Sequence, residues 1–298
     1  MLAVTILVDA ITYASWLFIV SLGLTLVFGV LKILNIAHGS VYALGAYAAA
    51  SAVALVVSLG LAPGFSLVAM LFAAAAVAVV VGPLLERGLL ARFYGRDEVL
   101  LLLVTYALFL MLEDITKLIW GVNPYFLPGP YQLFGNLVLP GGMKVGGYDL
   151  LLVALAVVCG VSTWFGLNRT TGGKIVLAVI HNPEMSASMG VDVQKVYAVA
   201  FTVGVFLGAL GGAFTAPMIS VQPGLSVSVI VVSFAVIIIG GLGSIEGAAI
   251  GALVVGLARS ASVHLMPQIE LFSIYLVMAA VLIVRPEGLF QSIKARLI

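Results

Sequence analysis

Residues 33–85 read ILNIAHGSVYALGAYAAASAVALVVSLGLAPGFSLVAMLFAAAAVAVVVGPLL, without one Asp, Glu, Lys or Arg. A helix needs about 20 apolar residues to cross the hydrocarbon core of a bilayer. This stretch is too long for one crossing, so it holds two, and Pro63-Gly64 is the turn signal between them. The same length argument extends outward. Residues 10–31 form a span before it, and 99–119 and 150–167 form spans after it. The charge-free run 196–245 holds two more, broken near 217–224, and 247–265 and 271–284 complete the set. The count is about eight or nine crossings. The expected fold class is all-α, a polytopic transmembrane helical bundle with broken helices, and one transmembrane domain over residues 1–298.

Composition agrees. Of 298 residues, 63% are hydrophobic and 8% are charged, against about a quarter charged in soluble domains. Mean hydropathy is +1.27. With a net charge of +1 and no basic block, there is no footprint for nucleic acid. Cys159 is the only cysteine, so it forms no internal disulfide and no thiolate cluster. The N-terminus has no cation before Lys32 and reads as a retained span rather than a cleaved signal.

Basic residues orient the chain. Arg87, Arg92 and Arg96 share one loop, Arg169, Lys174 and Lys195 flank a second, and Arg285, Lys294 and Arg296 follow the last span. These sides are expected in the cytoplasm. The Pro/Gly-rich loop 120–147 is expected outside. It includes Pro124, Pro128, Pro130, Pro140, Gly129, Gly135, Gly141 and Gly142, with Trp120, Tyr125 and Tyr131 as interface aromatics and Lys144 as its one cation. Two glycine ladders, Gly204/Gly208/Gly212 and Gly243/Gly247/Gly251, suit close helix packing.

Three segments carry functional signals. The first is GVLKILNIAHGS (29–40), a polar break in apolar sequence. It reads either as a discontinuous helix, with Asn35, His38 and Gly39 on a pathway and Ser40 capping the next half-helix, or as a short cytoplasmic turn. The second is HNPEMSASMGVD (181–192), within the cytoplasmic loop 168–195. Asn182 is a good N-cap, Pro183 suits the first helical position, Glu184 sits in the first turn, and Gly190 suits the position after the C-cap. It reads as a docking helix or as an ordinary structured loop. The third is IGGLGSIEGAAIG (239–251), where Gly243 and Ser244 interrupt a helix in the style of the first segment, a weak internal repeat. Asp9, Glu113, Asp114, Arg259 and His264 lie in or near spans, and a structural role is preferred for them over a proton relay. A nucleotide loop is missing: Gly172-Gly173-Lys174 is followed by Ile175 rather than a hydroxyl residue. No catalytic motif is visible.

These segments, in order, resemble the permease subunits of the branched-chain amino-acid (LivH-like) ABC importers. The matching pieces are GLTLVFG (23–29), NIAHG (35–39), LGAY (44–47), NPE (182–184), MGVD (189–192), GGLGSI (240–245) and RPEGLF (285–290). The resemblance implies a second related permease, two cytoplasmic ATPase subunits carrying ATP and magnesium, and an external solute-binding protein. It implies no cofactor and no enzymatic step in this chain, and a place in the bacterial inner membrane among lipid. Asn182, Pro183, Glu184 and Gly190 fall at the family's coupling motif, where two alanines are replaced by Met185 and Ser186. It also favours the pathway reading of 35–40, with Gly243 and Ser244 as further pathway residues. Leucine-type amino acids are the default substrate, with urea, short amides and aromatic acids as alternatives. A stand-alone transporter, a channel or a membrane enzyme are the competing functions, and none of these needs a rigid docking helix.

Overall fold

The computed structural model describes residues 2–138 and 144–290. Pro140, Gly141, Gly142, Lys294 and Arg296, named above, lie outside the described residues. Among the described residues seven helices are long and apolar enough to cross a membrane: α1 (Leu2–Leu31), α2 (His38–Ser58), α3 (Phe65–Gly88, continued by a 3-10 turn), α4 (Glu98–Trp120), and, after the short α5 (Pro128–Gln132), α6 (Gly147–Arg169). The short α7 (Thr171–His181) and α8 (Pro183–Ser188) precede the sixth long helix, α9 (Val193–Thr215). The apolar α10 (Leu225–Gly240) has only 16 residues; then come the seventh, α11 (Ile245–Leu265), and α12 (Glu270–Val284), with 15. The expected eight or nine crossings are reached only by counting α10 and α12.

The helix breaks fall where turn chemistry puts them. Gly64 and Pro63 separate α2 from α3, and Gly224, at φ +89°, starts α10. Two features were not expected. Residues 171–181 form a helix of their own, α7, capped by Thr170 Oγ1 on the Gly173 N–H at 3.0 Å. Residues of the 120–147 loop form a small antiparallel strand pair, β1 (Asn136–Val138) with β2 (Lys144–Gly146).

Helix α1 runs through the middle of the bundle and packs against α6, α9, α10 and α11, while α2 packs against α3, α4, α9 and α10. The first glycine ladder is a packing seam. Gly204 lies on Gly23 of α1, Gly208 on the His38 ring, and Gly212 on the Tyr42 carbonyl of α2, where any Cβ would collide. The second ladder is only partly helical. Gly247 and Gly251 pack against the Gly240 end of α10, but Gly243, at φ +83°, sits in the α10–α11 break and meets Gly29. The break needs a left-handed backbone there, which glycine adopts without strain.

The ionisable residues near spans are all engaged. His264 Nε2 lies 2.6 Å from Asp9 Oδ2, and Arg259 pairs with Glu270 at 2.6 Å while stacking over the Tyr13 ring at 4.2 Å. Lys117 pairs with Asp114 at 3.1 Å. Trp120 and Tyr125 are tied together, the Tyr125 hydroxyl donating to the Trp120 carbonyl at 2.8 Å. Both pack on Tyr47, with ring centroids 5.3 and 6.1 Å away, and Tyr131 packs on Tyr148. A backbone bridge from Tyr125 to Val221 ties the 120–147 loop to the segment before α10.

Candidate transport pathway and coupling surface

The break after α1 is decided by where α2 starts. His38 Nε2 donates to the Val20 carbonyl at 3.0 Å. Val20 lies eleven residues before the end of α1, or about 16 Å back along its axis at 1.5 Å per residue. Residues 32–37 therefore double back into the bundle, and α2 begins about halfway along α1 rather than at its end. Lys32, at φ +56°, makes the reversal.

Such irregular backbone at depth must find its hydrogen bonds within the protein. The Thr105 hydroxyl of α4 donates to the Leu34 carbonyl at 3.1 Å and lies 3.4 Å from the Ile36 N–H, and the carbonyls of Asn35 and Ile36 accept from the N–H groups of His38 and Gly39. Ser40 does not cap α2. The helix already starts at His38, with Ala37 at the cap position, so the Ser40 hydroxyl falls inside the first turn and donates to the Phe109 carbonyl of α4 at 3.0 Å.

A second helix start meets the first. An added Cβ on Gly39 would lie 2.5 Å from the Ser226 carbonyl, so the first turns of α2 and α10 touch. Glu113, from α4, is buried at this junction. Its carboxylate accepts from the Gly224 N–H at 2.8 Å with one oxygen and from the Ser226 hydroxyl with the other. An anion at a helix N-terminus satisfies orphan N–H groups and the helix dipole together. Sequence reading placed Glu113 near a span end. Its partner, 111 residues away, has no local signal.

Two polar groups at this depth stand out. Asn35 is 1% exposed, and neither its amide nitrogen nor its amide oxygen has a partner. His38 is wholly buried, with Nδ1 free while Nε2 is bonded. Its ring fits against Gly23 and Gly208, which places it within the helix interface. Gly39 sits at the α2–α10 contact. Gly243 lies beside Gly29, and Ser244 caps α11, its Oγ accepting from the Gly247 N–H at 3.0 Å. Gly243 and Ser244 therefore belong to the break at the C-terminal end of α1, whereas residues 35–40 lie deeper in the bundle. The chain after α12 clasps the same end, with the Leu289 and Phe290 N–H groups on the carbonyls of Ile239 and Gly240 at 2.9 Å each.

Away from these breaks, α8 has both ends fixed. Asn182 Oδ1 accepts from the Met185 N–H at 2.9 Å, Pro183 is the first helical residue, and Glu184 lies in the first turn. At the other end Gly190, at φ +86°, donates to Ala187 and Val191 donates to Ser186. That pair of bonds is the Schellman arrangement. The helix holds Met185 and Met189 outward, 61% and 79% exposed.

The family described as "Branched-chain amino acid transport system / permease component" matches residues 6–284. The chain belongs to this permease family. The permease is 26% identical over 263 residues to the high-affinity branched-chain amino acid transport system permease protein BraD of Pseudomonas aeruginosa, covering 85% of this chain and 84% of BraD. It is 24% identical over 291 residues to the corresponding LivH protein of Escherichia coli, covering 94% and 93%. It is 26% identical over 302 residues to a probable LivH of Methanocaldococcus jannaschii, covering 95% and 91%. No solved structure matches the chain. With seven full-length apolar helices, the permease is a multi-pass membrane protein.

Proposed function

We propose that this chain is the membrane path of an ATP-driven importer for branched-chain amino acids, acting in the cytoplasmic membrane without chemistry of its own. The whole-length family match carries the reading, because the relatives named above are permease proteins of branched-chain amino acid transport. A second permease, two ATPase subunits holding ATP and magnesium, and an external binding protein complete the machine. Residues 1–298 act as one permease domain, with 168–195 as its coupling loop and 120–147 as its external loop.

The proposed mechanism is alternating access. A rigid capped helix transmits force better than a loop, so α8 receives the ATPase stroke through Asn182, Pro183, Glu184 and Gly190. The stroke reaches the bundle through α7 and α9, which α8 contacts. The moving parts are the two helix breaks, with Gly29 against Gly243 at one level and α2 against α10 at the other. In this state Asn35 buries an amide with nothing to bond, a cost of about 1–3 kcal/mol per unsatisfied group. A solute passing the α2 start would supply the missing partner, so Asn35, His38, Gly39 and Ser40 mark the deep pathway and Gly243 and Ser244 its inner end. A solute shifts the equilibrium only if it binds the two states differently, and an amide satisfied in one state alone meets that condition.

The test is uptake by the complex reconstituted in vesicles with ATP inside. Leucine, isoleucine or valine should accumulate, and Asn35→Leu should reduce uptake at least about tenfold while leaving assembly intact. Accumulation of none of the three would refute the substrate assignment, and full uptake by Asn35→Leu would remove that residue from the path.

A further inference from the structure

Between the cytoplasmic end of α3 and the start of α9 lies a cavity of about 530 Å³, lined by Glu86, Arg87, Ala91, Asp192, Gln194 and Lys195. One of its lining residues, Asp192, stands four residues past the end of α8. Glu86 is 1% exposed, which is unusual for a carboxylate. Tyr94 donates its hydroxyl to Glu86 Oε1 at 2.9 Å, and the Tyr94 ring is held edge-on by Tyr197 of α9 at 5.3 Å. The other oxygen, Oε2, is buried with no partner. Among the described residues no cation lies within ion-pair distance of Glu86, although Arg87 and Lys195 share its wall. Asp192, the other acid, already uses Oδ1 to cap α9 on the Lys195 N–H at 3.0 Å.

We propose that this cavity is a second docking point for the ATPase subunit, taking an arginine or lysine side chain from it onto Glu86, beside the α8 contact. This rests on the reading of the chain as an ABC permease. The chemistry selects the occupant. A buried carboxylate with one oxygen pinned and one unpaired calls for a charged donor, and a guanidinium or ammonium gives the strongest such bond. The four charges of the wall, Glu86, Asp192, Arg87 and Lys195, sum to zero, so the buried carboxylate rather than a net field fixes where the cation ends. The site also explains how α3 follows the stroke. Helices α3 and α9 pack along their length, and a partner side chain between their cytoplasmic ends would hold both, whereas α8 alone contacts α7 and α9.

The experiment uses the complex recovered from native membranes, placed in nanodiscs, in a Cys159→Ala background that removes the only cysteine. Ala91→Cys reports on the cavity and Ser188→Cys on α8. Maleimide labelling is timed with the ATPase subunits bound and after they are stripped. Bound subunits should slow labelling at both positions by at least about tenfold. Glu86→Gln should restore fast labelling at position 91 while position 188 stays protected. Tyr94→Phe, which frees Glu86 Oε1 but keeps the charge, should keep position 91 protected and so separates pairing from mere folding. Equal labelling at position 91 with and without ATPase subunits, while position 188 is protected, overturns the proposal. Lack of protection at both positions, or recovery of no ATPase, overturns the permease-coupling reading on which it rests.

Discussion

Glu113 shows how one side chain holds a helix start inside the bundle. Its two oxygens take the Gly224 N–H and the Ser226 hydroxyl, and the wholly buried Ser226 hydroxyl has no water available if Glu113 is truncated. Glu113→Ala should therefore lower stability by about 2–4 kcal/mol, read as a fall in the detergent thermal-unfolding midpoint. Glu113→Gln keeps an acceptor and should lose less, and an unchanged midpoint for the alanine variant would show that α10 starts without this cap. Gly212 makes a second point of the same size. A Cβ there would stand 1.9 Å from the Tyr42 carbonyl, a backbone atom, whereas one at Gly208 meets the movable His38 ring at 2.8 Å. Gly212→Ala should thus destabilise more than Gly208→Ala, by about 1–3 kcal/mol, in the same assay. Neither contact is visible in a sequence, because each joins residues more than a hundred positions apart.

At the scale of elements, the capped helix α8 is the part most fully legible beforehand. Asn182, Pro183, Glu184 and Gly190 act on neighbours within four residues, so their meaning is local and the structure places each at its expected position in the cap. The spans and their breaks were legible for the same reason, since hydropathy and Pro/Gly punctuation are read along the chain. What escaped was set by distance. Ser40 suggested a cap, but the helix started two residues sooner because the chain was already reversed and tied to Thr105 of α4. Helix α7 escaped because residues 171–181 open on Thr171-Gly172-Gly173, a poor helix start by propensity, and are stabilised by packing on α6. Choosing between turn and discontinuous helix at 35–40 needed one long-range contact, His38 on Val20. If α8 is the coupling element, Glu184→Lys should uncouple the pump. It places a cation at a helix N-terminus, costing about 0.3–1 kcal/mol locally, so expression should persist while ATP-driven uptake falls to background. Normal uptake with normal expression would remove Glu184 from the coupling surface.

Across the whole molecule, the architecture concentrates its irregular backbone on two junctions. Near the middle of α1, the starts of α2 and α10 meet around Glu113 and Asn35. Near its C-terminal end, Gly29, Gly243 and the 289–290 strap meet. In the proposed alternating-access mechanism the long helices elsewhere, especially α1 against α9 and α3 against α9, would be the rigid bodies that rock about these junctions. The rings of Tyr47, Trp120 and Tyr125 cluster at one side, and α8 and the Glu86 cavity occupy the other. The proposed importer needs an ATPase and a solute-binding protein besides this chain, so its partners are the direct measure of the account. The deciding measurement is a gentle-detergent pull-down of the tagged chain from its native membranes, followed by mass spectrometry. Recovery of an ATPase subunit with a second hydrophobic permease is the expected result, with the ATPase subunit but not the second permease lost when α8 is charge-reversed at Glu184. Repeated recovery of the chain alone, from membranes in which it is active in uptake, would contradict the account and make it a self-sufficient transporter.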